Sequence, residues 1–176
     1  MPFPLMPKRK ARSRAVYGYT QTLSWDTNFY IHPAEWVQDP PVMRGSKRIG
    51  PDKAFSNFFD PNENVSIVIS NLGRKVLLSS LGSPEDVGNQ LIQNFIAPPG
   101  SDKKAVLVSS EALMDGTKEV YHLELDVSGP SWRRRSVSAI TIMGSTLYTF
   151  TVQIPVRAWQ NKQQDAWQMV RSFHLI

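Results

Sequence analysis

"GSPEDVGNQLI", residues 82–92, carries several independent signals for the start of a helix. Ser83 is a residue type whose hydroxyl accepts a backbone N–H at the N-cap, and Pro84 falls at N1, where its missing donor costs nothing. Glu85 and Asp86 place negative charge at the positive helix end, and Asp86 stands three residues after Ser83, as in a capping box. Val87, Leu91 and Phe95 follow at a spacing of four, with Ile92 beside them, which predicts one apolar stripe. Gly88 weakens this helix and "APPG" (97–100) ends it. An amphipathic helix needs an apolar surface beneath it, and the flanking sequence supplies strands.

Upstream, "NFYIHPAEWVQDPP" (28–41) reads as a short strand stopped by Pro33, then Trp36 and a proline loop. Residues 42–64 are rich in Gly, Pro and Asn and read as loop, with a short strand near residues 54–58. "VSIVIS" (65–70) puts Val65, Ile67 and Ile69 on one side of a strand. Downstream, "AVLVSSEALMDGTKEVYHLELDV" (105–127) reads as strand, turn at Asp115-Gly116, strand. Tyr121, Leu123, Leu125 and Val127 face one way, and His122, Glu124 and Asp126 the other. "SGPSWRRR" (128–135) reads as loop. "VSAITIMGSTLYTFTVQI" (137–154) is two strands joined near Gly144-Ser145, with Tyr148, Phe150, Val152 and Ile154 alternating. Trp167, Val170 and Phe173 then sit at helical spacing and predict a C-terminal helix. Strands, a helix, three or four antiparallel strands and a final helix predict an α+β fold, an antiparallel sheet layered with helices.

The 176 residues suit one domain, and no stretch of about 18 apolar residues exists. There is no cysteine, which removes disulfides, thiol catalysis and thiolate metal sites. The net charge of +5 is unevenly placed. Residues 1–24 contain Lys8, Arg9, Lys10, Arg12 and Arg14 and no acid. Taking those five from the 20 Lys and Arg leaves 15, against 15 Asp and Glu, so the body from Trp25 onward is formally neutral. The expected organisation is a basic arm over residues 1–24 and a single domain over 25–176. The arm reads as a targeting remnant, a binding arm for an acidic partner, or a solvated tail. A neutral body lacks the broad basic face of a nucleic-acid-binding domain.

No nucleophile elbow, phosphate-binding loop or dinucleotide fingerprint is present, and a non-catalytic protein is expected. His32, His122 and His174 lie in no metal-binding pattern and read as surface or satisfied histidines. Glu124 and Asp126 read as a solvated strand face, and "DPNEN" (60–64) lacks the ligand spacing of a calcium loop. No metal and no bound cofactor are expected. Trp25, Trp36, Trp159 and Trp167 read as core or core-edge residues. The sharpest local feature is "SWRRRS" (131–136). Arg133, Arg134 and Arg135 beside Trp132 suit phosphate, a stacked base or the carboxylates of an acidic protein, with a solvated loop as the plain alternative.

Several motifs together resemble the PsbP family of thylakoid lumenal proteins. They are "FYIHPAEW" (29–36), "FSNFFDPNEN" (55–64), "NENVSIVIS" (62–70), "GSPEDVGNQLI" (82–92), "DGTKEVYHLELDV" (115–127) and "GSTLYTFTVQIPVRAW" (144–159), spread in order over residues 25–173. The resemblance implies an antiparallel sheet sandwiched between helices, with the Ser-Pro-Glu-Asp helix over one face. It implies a non-catalytic extrinsic subunit on the lumenal side of the thylakoid membrane of a chloroplast. Its partners would be membrane-embedded photosystem subunits and other extrinsic proteins, with no nucleic acid. Photosystem II comes first, with indirect support of oxygen evolution and of Ca and Cl retention. An assembly factor, or a subunit of photosystem I or the chloroplast NDH complex, is the alternative, and a Mog1-like regulatory binding module the remote one. The expected docking residues are Lys8, Arg9, Lys10, Arg12 and Arg14 of the arm and Arg133, Arg134 and Arg135. The arm, the loop at 43–53 and the lysine-poor segment 161–168 depart from the family pattern.

Overall fold

The structure, a computed structural model, describes residues 13–16, 19–24, 28–44 and 47–176. In chain order its strands are β1 (Ser13–Val16), β2 (Tyr19–Ser24), β3 (Asn28–Pro33), β4 (Trp36–Gln38), β5 (Val42–Arg44), β6 (Lys47–Ile49), β7 (Lys53–Asn57) and β8 (Asn64–Asn71). Helix α1 (Pro84–Leu91) follows, then β9 (Lys104–Asp115), β10 (Lys118–Ser128), β11 (Arg133–Met143), β12 (Thr146–Pro155), helix α2 (Val156–Ser172) and β13 (His174–Leu175).

The expected α+β layering is present, with four antiparallel strands, β9–β12, between the two helices. The central sheet has seven strands in the order β4-β7-β8-β12-β11-β10-β9, every pair antiparallel. Its middle is a meander, because Gly116 and Gly144 each adopt the positive φ that a tight turn between adjacent strands requires. A second sheet, β1-β2-β3-β13, includes residues of the N-terminal segment that lack any readable periodicity. Residues 42–64, expected mostly as loop, contain the short hairpin β5-β6 as well as β7.

Alternation along the strands gives the sheet two apolar faces. Val65, Ile67, Val137, Ala139, Phe150, Val152 and Ile154 pack against Ala166, Met169 and Val170 of α2 and against Tyr30 of β3. Phe150 is wholly buried, stacked on Phe173 at 5.1 Å and 4.8 Å from Tyr30 between ring centres. On the opposite face Tyr121, Leu123 and Ile140 pack against Leu78 and Val87. That smaller core lies beneath α1 and the single turn at residues 78–81.

Helix α1 starts as its sequence dictates. Ser83 Oγ accepts from the Asp86 amide at 3.1 Å, and the Asp86 carboxylate accepts from the Ser83 amide at 2.9 Å. Hydrogen bonds from Ser83 hold the Asp86 carboxyl below its ordinary range. Gly88 has a packing role as well as a propensity cost: a Cβ there would stand 2.9 Å from Leu107 Cδ1 of β9. The expected stripe fails at its third member. After Leu91 the helix widens into a five-residue π-turn over residues 92–96, and the extra residue per turn rotates Phe95 out to solvent, 76% exposed.

Candidate docking site

The arm residues Lys8, Arg9, Lys10 and Arg12 lie outside the described residues. Arg14 falls in β1, opposite Gln21 of β2. Arg133, Arg134 and Arg135 are not in a loop as expected; they open strand β11, opposite Ser128, Val127 and Asp126 of β10. The register explains the correction, because a strand can carry consecutive arginines when the partner strand offers carboxylates across from them. Arg133 grips Asp126 with two hydrogen bonds, Nε to Oδ1 at 2.8 Å and Nη2 to Oδ2 at 2.7 Å. Arg135 reaches Glu124 at 2.9 Å and Asp126 at 3.4 Å, and lies over the Trp159 ring. Glu124 and Asp126 are therefore not a solvated face. Their carboxylates are the counterions of these arginines, and the hydrogen bonds from Arg133 hold the Asp126 carboxyl below its usual range.

Arg134, between them, alternates to the other face and has no acidic partner among the described residues. Its guanidinium carbon stacks over Trp132 at 4.6 Å. Its Nε–H is buried and donates to no acceptor among the described residues, and burial lowers its pKa. Trp132 is held by the backbone beneath it. The Gly129 amide donates to the Trp132 carbonyl at 2.9 Å, and a Cβ at Gly129 would land 2.5 Å from the indole nitrogen. Only glycine leaves room for the ring to lie on this turn.

Two segments distant in sequence complete the site. Residues 57–63 form a tight loop: Asn57 Nδ2 donates to Glu63 Oε2 at 2.8 Å, and the Glu63 amide donates to the Asp60 carbonyl at 2.9 Å. The first turns of α2 fasten it, with Arg157 paired to Asp60 and Lys162 to the buried Glu63 at 2.5 Å. Burial pushes the Asp60 carboxyl up, but hydrogen bonds from Asn62 and the charge of Arg157 outweigh it and hold it low. At the tip Phe58 and Phe59 are 73% and 90% exposed and pack edge to face on each other. Isolated exposed apolar residues are ordinary, but two adjacent phenylalanines on a hydrogen-bonded loop form a rigid apolar knob. Asn62 of this loop, Trp132, Arg133 and Arg134 of the β10–β11 edge, and Pro155, Val156 and Arg157 at the start of α2 enclose an open cavity of about 600 Å³. Helix α2 begins there with neither a side-chain cap nor an acid in its first turn, so its positive end adds to the arginines.

The histidines, expected at the surface or satisfied, take both forms. His32 Nδ1 lies 2.9 Å from the Pro33 carbonyl. His122, which alternation placed toward solvent, lies 3.4 Å from Glu111. His32 is buried and stacks on Phe55 at 4.0 Å, and His122 is buried beneath Trp167. Helix α2 covers the strand face that alternation assigned to solvent, which is why His122 is inside. His174 alone of the three is exposed. Among the described residues no group of His, Asp and Glu is clustered to hold a metal ion, and no helix is long and apolar enough to cross a membrane.

The PsbP family model matches residues 25–175. A relative named CyanoP, from Thermosynechococcus vestitus, is 30% identical over 85% of this chain and 81% of its own length. The chain belongs to the PsbP family. PsbP-like protein 1, a chloroplastic protein of Arabidopsis thaliana, is 27% identical over 85% of this chain and 61% of its own. The solution structure of cyanobacterial PsbP from Synechocystis sp. PCC 6803 superposes with a TM-score of 0.76 at 21% identity, covering 97% of this chain and all of that one. LpqN of Mycobacterium tuberculosis, described as involved in cell envelope biogenesis, shares the fold at a TM-score of 0.52 and 12% identity over 84% of this chain and 82% of its own. The PsbP architecture alone thus does not fix a role, and the docking end has to be argued from its own residues.

Sequence reasoning singled out the three arginines and Trp132 but missed Phe58, Phe59, Arg157 and Lys162. The Phe-Phe pair at a turn was the one available signal. The two cations of α2 lie about a hundred residues from their carboxylates and gave none.

Proposed function

We propose that this PsbP-family protein is a non-catalytic extrinsic protein of the thylakoid lumen that docks on the lumenal face of a photosynthetic membrane complex, photosystem II first. The observation that carries the reading is an open cavity lined by Arg134, an arginine without a carboxylate partner among the described residues, and by Asn62 of the loop that carries the exposed Phe58 and Phe59. Aromatic residues and arginine are the types that dominate protein interfaces. Of the three arginines first expected to dock, Arg133 and Arg135 frame the site and Arg134 offers the free charge. The basic arm, with Lys8, Arg9, Lys10, Arg12 and Arg14, would add long-range attraction to an acidic surface, strong at low salt and screened at high salt. Support of Ca and Cl retention would be indirect, through attachment, because the carboxylates of the site already serve as counterions. The second reading is an assembly factor or a subunit of photosystem I or the chloroplast NDH complex.

A graded salt wash of thylakoids, with the retained fraction separated on a native gel, tests this. Migration with photosystem II and earlier release when the five arm cations are neutralised are the expected results. Migration with photosystem I or NDH supports the second reading, and association with no complex overturns both.

A further inference from the structure

We infer that the cavity between the 57–63 loop, the β10–β11 edge and the start of α2 is a carboxylate-binding site that takes one acidic side chain of a protein partner, held by Arg134 and Arg157 against Trp132. The inference rests on the docking reading above and names what the docking end recognises.

Charge balance selects the ligand. Among the described residues, the ionised groups in and around the cavity are Arg133, Arg134, Arg135 and Arg157, against Asp60, Glu124 and Asp126. Each acid is spoken for by an arginine, which leaves a single positive charge in excess, that of Arg134. One carboxylate cancels it. A phosphate, with about −1.5 to −2 charge near neutrality, overshoots it. A guanidinium presents a planar fork that binds a carboxylate with two parallel hydrogen bonds. Arg134 is also pre-organised: stacking on Trp132 fixes its plane, and Gly129 fixes Trp132. Little side-chain entropy is then lost on binding.

The walls describe the neighbours of that carboxylate. Trp132, Pro155 and Val156 are apolar and suit the methylenes of a glutamate stem, while the amide of Asn62 offers a further hydrogen bond. Phe58 and Phe59 lie on the loop that supplies Asn62, so the partner segment would carry an apolar residue close to its acid. An extended stretch of the type apolar–Glu–apolar meets these demands.

The test uses the full chain and three probes at constant ionic strength: the peptide acetyl-Gly-Leu-Glu-Leu-Gly-amide, its Glu→Gln counterpart, and inorganic phosphate. Binding is followed by the NMR signal of the Trp132 indole N–H, which lines the cavity beside Arg134 and is retained when Arg134 is replaced. The glutamate peptide should shift this signal saturably, and Arg134→Gln should weaken binding about tenfold or more, as for a lost charged hydrogen bond. Arg134→Lys should recover part of that loss, and Lys75→Gln, on the exposed surface elsewhere, should change nothing. No saturable shift in the unmodified protein, or equal binding of the Gln peptide, overturns the inference without recourse to any variant. Tighter binding of phosphate than of the glutamate peptide overturns it in favour of a phosphate ligand. The two readings fail separately. Thylakoid attachment without peptide binding removes the cavity assignment alone, whereas peptide binding without attachment removes the photosynthetic docking reading.

Discussion

Replacing Gly129 by Ala tests how the docking end is built. The added Cβ would lie 2.5 Å from Trp132 Nε1 and Cε2 and 2.8 Å from Cζ2, inside the ring's van der Waals surface. An indole cannot deform, so it must swing off the turn. If about 60 Å² of the ring returns to water, the loss is about 1.5 kcal/mol at roughly 25 cal/mol per Å². The stack on Arg134 contributes about 0.5–1 kcal/mol more. Ala stiffens the unfolded chain relative to Gly and returns about 0.4–1 kcal/mol. The net is a destabilisation of about 1.5 kcal/mol, or a fall in Tm of roughly 3–6 °C for a chain of this size. In a Trp132→Ala background the clash is gone and only the stiffening remains, so the same change should be neutral or stabilising by up to about 1 kcal/mol. The cycle therefore predicts a coupling of about 2 kcal/mol between the two positions, read by urea unfolding followed by far-ultraviolet circular dichroism. Stabilisation of the unmodified protein by Gly129→Ala, or the same effect in both backgrounds, would refute the reasoning.

Ser83→Ala removes the acceptor of the Asp86 amide and should cost about 1 kcal/mol in urea unfolding, with native circular dichroism retained. Phe150→Ala empties the centre of the larger core, between Tyr30 and Phe173, and should cost about 3–5 kcal/mol. Burial lowers the pKa of His32 against the Pro33 carbonyl, and that of His122 against the opposing charge of Glu111, with Arg171 lowering it further. The unfolded chain then takes up protons first as pH falls below the ordinary 6.5, so the stability present above 6.5 is lost on the way down to the folded-state values. The slope should reach up to about 1.4 kcal/mol per pH unit for each histidine. Urea midpoints at several values between pH 7.5 and 5 should fall accordingly, and His122→Gln should flatten the dependence. A flat profile in the unmodified protein would contradict this burial.

The parts of the fold that were legible in sequence are those whose cause is local. Tyr148, Phe150, Val152 and Ile154 alternate as they do because one strand face is core, and the Gly144 turn needs nothing beyond its neighbours. The Ser83 cap is likewise written within four residues. What could not be read depends on partners. The polar phase of β10 looks solvated until α2 is laid over it, and then His122 is inside and Glu124 and Asp126 are occupied by arginines. A run of three arginines looks like loop until the register with β10 is known. Phe95 keeps the spacing of an α-helical stripe, and one inserted residue moves it to the surface. In the second sheet β3 was legible, but β1 and β2 are short and carry Ser, Thr and Gln, so they lack a pattern of their own. At the docking end the arginines were visible as a cluster, but their division into two paired and one unpaired is a property of cross-strand geometry.

Strand β13 gives the fold an order in time. Leu175 and His174 pair with Asn28 and Phe29, and the Leu175 carbonyl accepts from Lys118. Strand β3, paired on its other side with β2, thus keeps one open edge until residues near 175 have arrived. Until then the N-terminal hairpin β1-β2 is joined to a half-finished sheet. The chain is closed like a clasp, and its two distant segments must be present together before either is secure.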